Sequence, residues 1–307
     1  MSPSPVLIVG SMAFDDLQLP SGDFPNVVGG SATYGAYTAT AFAPVRLVAV
    51  VGHDFPDAHL GRLRERGADV DGVERKAGET FRWAGRYSQN LASRETLDTR
   101  LNVFAHFEPR LPAAYADTPF VLLGNIHPRL QGSVLDQVKG ARFVVADTMN
   151  FWIDGEPKAL AEVMKRVDAL VINEEEVRQL AGEHNVHRAA RAVQAMGPRI
   201  VIVKRGEYGA LLFDEAGPFF APAYPLEDVL DPTGAGDSFA GGLLGYLATQ
   251  PALNALSLRR AVMVASACAS FCVEEVGTER LTRLTRDDVS SRLQAFHTLL
   301  HFGTDPF

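Results

Sequence analysis

The sequence predicts an α/β fold: a mostly parallel central sheet with helices on both faces, plus a small β-strand lid. Three observations carry that expectation. Short apolar, β-branched runs recur along the 307 residues, helical patterns fall between them, and residues 79–108 break the rhythm by alternating apolar and polar side chains. Strand–helix alternation builds βαβ units, whose parallel strands are buried on both faces.

The elements follow in order. "VLIVG" (6–10), "RLVAVVG" (46–52), "FVLLGNI" (120–126), "RFVVADT" (142–148), "ALVIN" (169–173) and "IVIVK" (200–204) are the expected buried strands. "SATYGAYTATAFA" (31–43), "AHLGRLRERG" (58–67), "PKALAEVMKRV" (157–167) and "EEVRQLAG" (175–182) are the expected helices. Open sheets of this kind bind ligands beyond the carboxyl ends of their strands. That rule singles out Asp15, Asn125, Asp147, Asn173, Glu176, Lys204 and Gly206. Within 79–108, "TFRWAGRYS" and "RLNVFAHF" read as antiparallel strands, and "FDDLQLPSGDF" (14–24) supplies a further extended piece. No repeat or interdomain linker interrupts the chain. The expectation is one domain over 1–307, with lid strands inserted at about 14–24 and 79–108.

A net charge of −8 argues against a nucleic-acid partner, because phosphate backbones are bound by clustered Lys and Arg. The densest basic stretch, "RLRERG" (62–67), is interrupted by Leu and Glu. The first residues, "MSPSPVLIVGS", lack the charged n-region of a secretory signal, and the apolar runs fall short of a membrane span. Cys268 and Cys272 share one helix face and read as small buried hydrophobes. A cytoplasmic protein without a membrane partner is expected.

The stretch "DPTGAGDSFAGG" (231–242) concentrates glycines and two aspartates in one turn. Pro232 leaves Asp231 extended, and Phe239, Leu243, Tyr246 and Leu247 fall on one helical face. "GAGD" therefore lies at a helix N-terminus, where free N–H groups and the helix dipole attract anions. An anion site with a carboxylate at its lip suits phosphoryl transfer: Asp237 could accept the proton of an attacking hydroxyl. The alternative is an ordinary N-cap, with the glycines serving tight packing.

This stretch closely resembles the C-terminal signature of the ribokinase-like (PfkB) carbohydrate kinase family. "VGGSATYGA" (28–36), "NEEE" (173–176) and "VKRGEYGALL" (203–212) extend the resemblance, in the family's order, over essentially the whole chain. It implies an ATP-dependent kinase acting on a hydroxyl of a sugar or related polyol. A nucleoside kinase is the alternative, and a non-catalytic ligand sensor on a kinase fold is the rival from another class. A dinucleotide-dependent oxidoreductase lacks support, since no G-x-G-x-x-G follows the first strand.

By that resemblance Asp237 matches the catalytic base, and the amides of Gly234, Ala235 and Gly236 match the anion hole. Asp231 and Thr233 match positions beside a monovalent-cation site, which implies K⁺. Asn173 and Glu176 match an N-x-x-E element that organises Mg²⁺ and the ATP phosphates, through water. By themselves they read as a helix start. Lys204, Gly206 and Gly209 match a segment lining the nucleotide, with Lys204 either meeting phosphates or standing as a solvated strand-end charge. Gly277 falls where the family closes over adenine.

On the acceptor side, Asp15 matches a carboxylate that holds substrate hydroxyls, with Asp16 its competitor. Gly29 and Gly30 match a glycine pair whose backbone approaches the sugar, and Asn125 lies at the same edge. The chain departs from ribokinases at Tyr34, where they carry Asn, and at His127, where they often carry an acid. Both departures argue against ribose itself. Tyr34 could stack on a nucleobase or serve as core. Either Arg82 or Trp83 faces the substrate. Exposed lid edges offer a route to a homodimer.

Overall fold

The computed structural model describes residues 2–301 and residue 303. Its large sheet has a parallel body: β1 (Val6–Val9), β4 (Val45–Val51), β5 (Ala68–Arg75), β8 (Phe120–Leu123), β9 (Phe143–Asp147), β10 (Ala169–Asn173) and β11 (Ile200–Lys204). β12 (Ala210–Asp214) and β13 (Gly217–Ala221) add an antiparallel edge. The nine strands lie in the order β13-β12-β11-β10-β9-β8-β1-β4-β5. A separate four-stranded sheet, order β3-β2-β6-β7, comprises β2 (Ala13–Leu19), β3 (Gly22–Gly29), β6 (Phe81–Tyr87) and β7 (Arg94–Arg100).

The period of two along each parallel strand divides the core into two layers. Val6 and Ile8 of β1 join one apolar cluster while Leu7 and Val9 join the other. The first layer is closed by α1 (Ser31–Ala39), α2 (Asp57–Glu65), α8 (Ala235–Leu247), α9 (Ala255–Cys272) and α10 (Arg286–Leu300). The second is closed by α3 (Pro128–Gln137), α4 (Asn150–Gly155), α5 (Pro157–Met164), α6 (Glu174–Ala181) and α7 (Val186–Gln194). The expected α/β architecture is therefore present, with the carboxyl ends of the parallel strands opening on one edge. Cys268 and Cys272 are both free and buried on α9. That helix is long and apolar enough by composition to cross a membrane, contrary to the sequence expectation, but most of it is buried inside the protein as a core helix.

One expected strand is not a strand. "RLNVFAHF" contributes only Arg100 to β7, and Asn102–His106 forms a 3-10 turn. Asn102 takes a positive φ of 48° and its side-chain amide donates to the Thr80 carbonyl at 2.9 Å, which turns the chain out of the extended state. Phe104 stacks between Phe81 and Phe107, so its apolar residues serve a turn rather than a sheet face. The strand that does pair with β6 lies upstream, in "RETLDTR".

Candidate active site

The site is assembled at the carboxyl edge, around the first turn of α8. Gly234 is the N-cap of that helix, with φ 75°, and no side chain caps it. A Cβ there would overlap the ring of Tyr34, so the position needs glycine for both conformation and space. The amides of Gly236 and Asp237 find no acceptor among the described residues, whereas Ala235 N–H turns back to the Pro232 carbonyl at 3.3 Å. Of the expected anion-hole donors, Ala235 is thus the one already committed. Further along the helix, Gly241 and Gly242 do the packing work: added Cβ atoms would meet Gly35 and Thr38 of α1 and Cys268 of α9. The packing reading of the glycine run thus describes Gly241 and Gly242, while the first turn leaves its amides without acceptors among the described residues.

Asp231 braces this loop. Its two carboxylate oxygens accept from Thr233 N–H at 2.9 Å and Gly277 N–H at 2.8 Å. Thr233 Oγ1 in turn meets the Tyr87 hydroxyl of β6 at 2.9 Å, which joins the small sheet to the loop. Gly277 therefore serves, in this structure, as a loop tie.

Lys204, at the end of β11, pairs with Asp147 at the end of β9, Nζ to Oδ2 3.2 Å. A Cβ on Gly236 would lie only 2.9 Å from that Nζ, so the ammonium reaches the anion loop. Burial works to lower the Lys204 pKa, but Asp147, Glu176 and Asp237 outweigh it and raise it. The sequence marks Asp147 only as a strand end, and the ion pair gives it a place beside Lys204. Asn173 and Glu176 form a capping box for α6: Asn173 Oδ1 accepts from Glu176 N–H at 2.8 Å, and Glu176 Oε2 from Asn173 N–H at 2.9 Å. The helix-start role is real, and Glu176 is nonetheless buried beside Lys204, its pKa pushed up to about 7, chiefly by burial. Gly206 and Gly209 form the turn between β11 and β12.

Asp15 and Asp16 separate cleanly. Asp15 is 4% exposed, and a Cβ on Gly29 would overlap its carboxylate. Gly30, with φ 95°, packs against the backbone of Ser11. Asp16 instead pairs with Arg82 at 3.5 Å and accepts from Asn26 N–H. The β2–β6 register sets Asp15 beside Trp83, so Trp83 shares its face and Arg82 lies on the other. Burial, with Asp231, Asp237 and Asp16 adding, pushes Asp15 up to about 8. Burial and the Asp147 charge push Asp237 up to about 7, against Lys204 and Arg94. Burial is the largest cause of each shift, and neighbouring carboxyls add to it.

Of its two readings Tyr34 takes the core one, and Asn125 is committed elsewhere. Tyr34 is 1% exposed with its ring against Gly234, and its hydroxyl has no partner among the described residues; it packs as core under the loop and offers no open face for stacking. Asn125 is occupied by protein: Oδ1 accepts from Trp152 Nε1 at 2.9 Å, and Nδ2 meets Met149 Sδ at 3.1 Å. His127 packs on Trp152 and faces Glu156 at 3.4 Å. Beside them Phe151 is 65% exposed and meets the Trp152 ring edge-on.

The sequence pattern of the pfkB family carbohydrate kinases matches residues 8–283. The chain belongs to the PfkB family. It is a phosphotransferase with an alcohol group as acceptor. Among PfkB relatives, the cytidine kinase of Thermococcus kodakarensis is 31% identical over 252 residues, 80% of this chain and 90% of that one. The aminoimidazole riboside kinase of Salmonella typhimurium is 32% identical over 149 residues, 47% of this chain and 46% of that one. In fold, the ribokinase of Thermotoga maritima superposes with a TM-score of 0.74 at 21% identity, covering 95% of this chain and 99% of that one. A putative ribokinase II of E. coli, solved with ATP and Mg²⁺, gives 0.78 at 21% identity, covering 95% and 99%.

Proposed function

We propose that this PfkB protein transfers the γ-phosphoryl group of ATP to a sugar hydroxyl of a nucleoside. The observation that carries the transfer is the α8 N-terminus: unpaired amides of Gly236 and Asp237, the Lys204 ammonium against Gly236, and the Asp237 carboxylate in the same turn. Free amides and an ammonium stabilise charge on a migrating phosphoryl group. Asp237, with a pKa of about 7, takes the proton of the attacking hydroxyl at neutral pH. Asp15 holds the neighbouring hydroxyls. A neutral polyol suits this corner, because burial and the neighbouring carboxyls of Asp231 and Asp237 already disfavour negative charge at Asp15.

Among the described residues no group of three His, Cys, Asp or Glu could hold a metal. Yet Asp147, Glu176 and Asp237 all act on Lys204, and this group of carboxyls fits a cation held mainly by nucleotide phosphates and water. Mg²⁺ there would screen the charge of the phosphates, with Glu176 and Asp147 orienting its water shell. Asp231 and Thr233 already spend their side chains on the loop, so a K⁺ at this place would share them with those bonds. The small sheet acts as the lid that excludes water.

Two observations favour a nucleoside over a free sugar: the extent of the similarity to a cytidine kinase, and the exposed Phe151 at the sheet's carboxyl edge, a face on which a base could stack. The test is substrate-dependent ADP release from ATP and Mg²⁺ across nucleosides, free sugars, sugar acids and polyols. The reading expects nucleosides to give the highest kcat/KM. Best turnover with a free sugar or sugar acid would overturn the nucleoside assignment and leave the transfer chemistry standing.

A further inference from the structure

Four arginines belong to the strands of the small sheet. Arg82 pairs with Asp16, Arg86 with Glu95 and Arg100 with Asp98, each at the sheet surface. Arg94 has no salt bridge among the described residues, although its charge is felt by Asp15, Glu176 and Asp237. The β6–β7 register sets it opposite Tyr87, whose hydroxyl touches Thr233 of the anion loop. Its guanidinium carbon stands 5.6 Å from the centre of the Trp83 ring, and Trp83 is the register neighbour of Asp15. Arg94 thus hangs from the lid between the anion loop and the acceptor carboxylate.

We propose that Arg94 is a catalytic residue that engages the oxygens of the transferring phosphoryl group from the lid side. The proposal rests on the kinase reading. Its charge acts on Asp15, Asp237 and Glu176 together, in each case favouring the ionised carboxylate, so it reaches acceptor anchor, base and metal organiser alike. Lys204 reaches the same loop from the end of β11, against Gly236, whereas Arg94 belongs to the small sheet. A planar guanidinium presents parallel N–H donors to two phosphoryl oxygens at once, which an ammonium does not. In the transfer, the acceptor oxygen forms a bond to the γ-phosphorus and its proton passes to Asp237. The bond from that phosphorus to the β–γ bridging oxygen breaks, and its electron pair leaves on ADP. Arg94 donates hydrogen bonds throughout and exchanges no proton. Because it sits on the lid, its contact is made only when the lid lies over the loop, which couples closure to chemistry.

The test combines turnover with equilibrium binding of two probes, ADP and β,γ-imido ATP, each with Mg²⁺. Parent, Arg94→Ala and Arg94→Lys are compared. The proposal expects Arg94→Ala to lose about 10²-fold in kcat and to bind the imido analogue roughly tenfold more weakly or worse, the loss of one charge-assisted contact. ADP affinity and acceptor KM hold, and Arg94→Lys recovers part of both losses. Equal weakening of ADP and the analogue would overturn it, as would parental turnover in Arg94→Ala, or a rise confined to acceptor KM. Should Arg94→Ala not fold, Arg94→Lys against Arg94→Gln carries the same comparison. If the parent itself releases no ADP with any acceptor, the kinase reading fails. The analogue-against-ADP difference still tests the contact of Arg94 with the γ-phosphoryl group.

Discussion

The acceptor role proposed for Asp15 rests on what surrounds it rather than on its place in the chain. Its neighbour Asp16 has the same side chain, yet faces out to Arg82 and water, while Asp15 is buried against Gly29 with a pKa of about 8. No pattern in "FDDLQ" distinguishes the two, because strand register is set by β6 and β3, far along the chain. The proposed acceptor role uses the hydrogen-bond capacity of this buried carboxyl to hold a ligand's hydroxyls. Asp15→Ala is expected to raise the acceptor KM by roughly 5–150-fold, the cost of leaving a buried hydroxyl without its hydrogen-bond partner, and to leave the nucleotide KM near parental. Steady-state kinetics with each substrate varied in turn checks this. An equal rise in both constants would count against an acceptor role. Tyr34 teaches the opposite lesson: an aromatic ring at a substrate position by sequence is spent on covering Gly234.

Elements differ in how much of themselves they write into sequence. The buried parallel strands were legible because continuous apolar runs of five or so residues have few other uses, and β1, β8, β9, β10 and β11 lie within the runs expected. Helix α8 was legible from its N-terminal glycines and its apolar face. β7 was not, since every one of its residues is exposed and "RETLDTR" carries no apolar alternation. The edge strands β5 and β13, and helices α3, α7 and α10, are partly exposed and left a similarly weak signal. Arg94 went unremarked for the same reason: nothing local marks an arginine on an exposed strand as facing a cleft. The capping box of α6 shows one element in two roles, since Glu176 both closes the helix start and sits beside Lys204. Glu176→Gln keeps the box geometry and removes the charge. It is expected to slow turnover and to move the Mg²⁺ dependence to higher concentration, read from Mg²⁺ titrations at saturating ATP. Superimposable titrations would leave "NEEE" with its capping role alone.

For the molecule as a whole, the site is a place where stability is set against function. Asp15, Glu176 and Asp237 all have folded pKa values above their ordinary ones, at about 8, about 7 and about 7. Between the ordinary carboxylate range and these values the folded protein keeps protons that the unfolded chain has released. Their contribution is therefore fully present at low pH and is lost as pH rises through about 7 to 8. Without ligands, the thermal midpoint is expected to fall between pH 6 and pH 9, and Asp15→Asn to flatten that fall. An identical slope in parent and variant would remove Asp15 from the account. The same arrangement points to the central claim, that an α8 N-terminus lined with free amides and closed by a lid makes Asp237 the base of a phosphoryl transfer. Its most direct test is the turnover of Asp237→Asn, measured with its thermal midpoint and ATP affinity and, in the parent, the pH dependence of kcat/KM. The account predicts a loss of ~10²–10⁴-fold in kcat with midpoint and nucleotide affinity retained, and a parental kcat/KM that rises with pH through about 7. Parental turnover in Asp237→Asn, or a variant that is inactive only because it unfolds, would contradict it and return Asp237 to a structural place in the first turn of its helix.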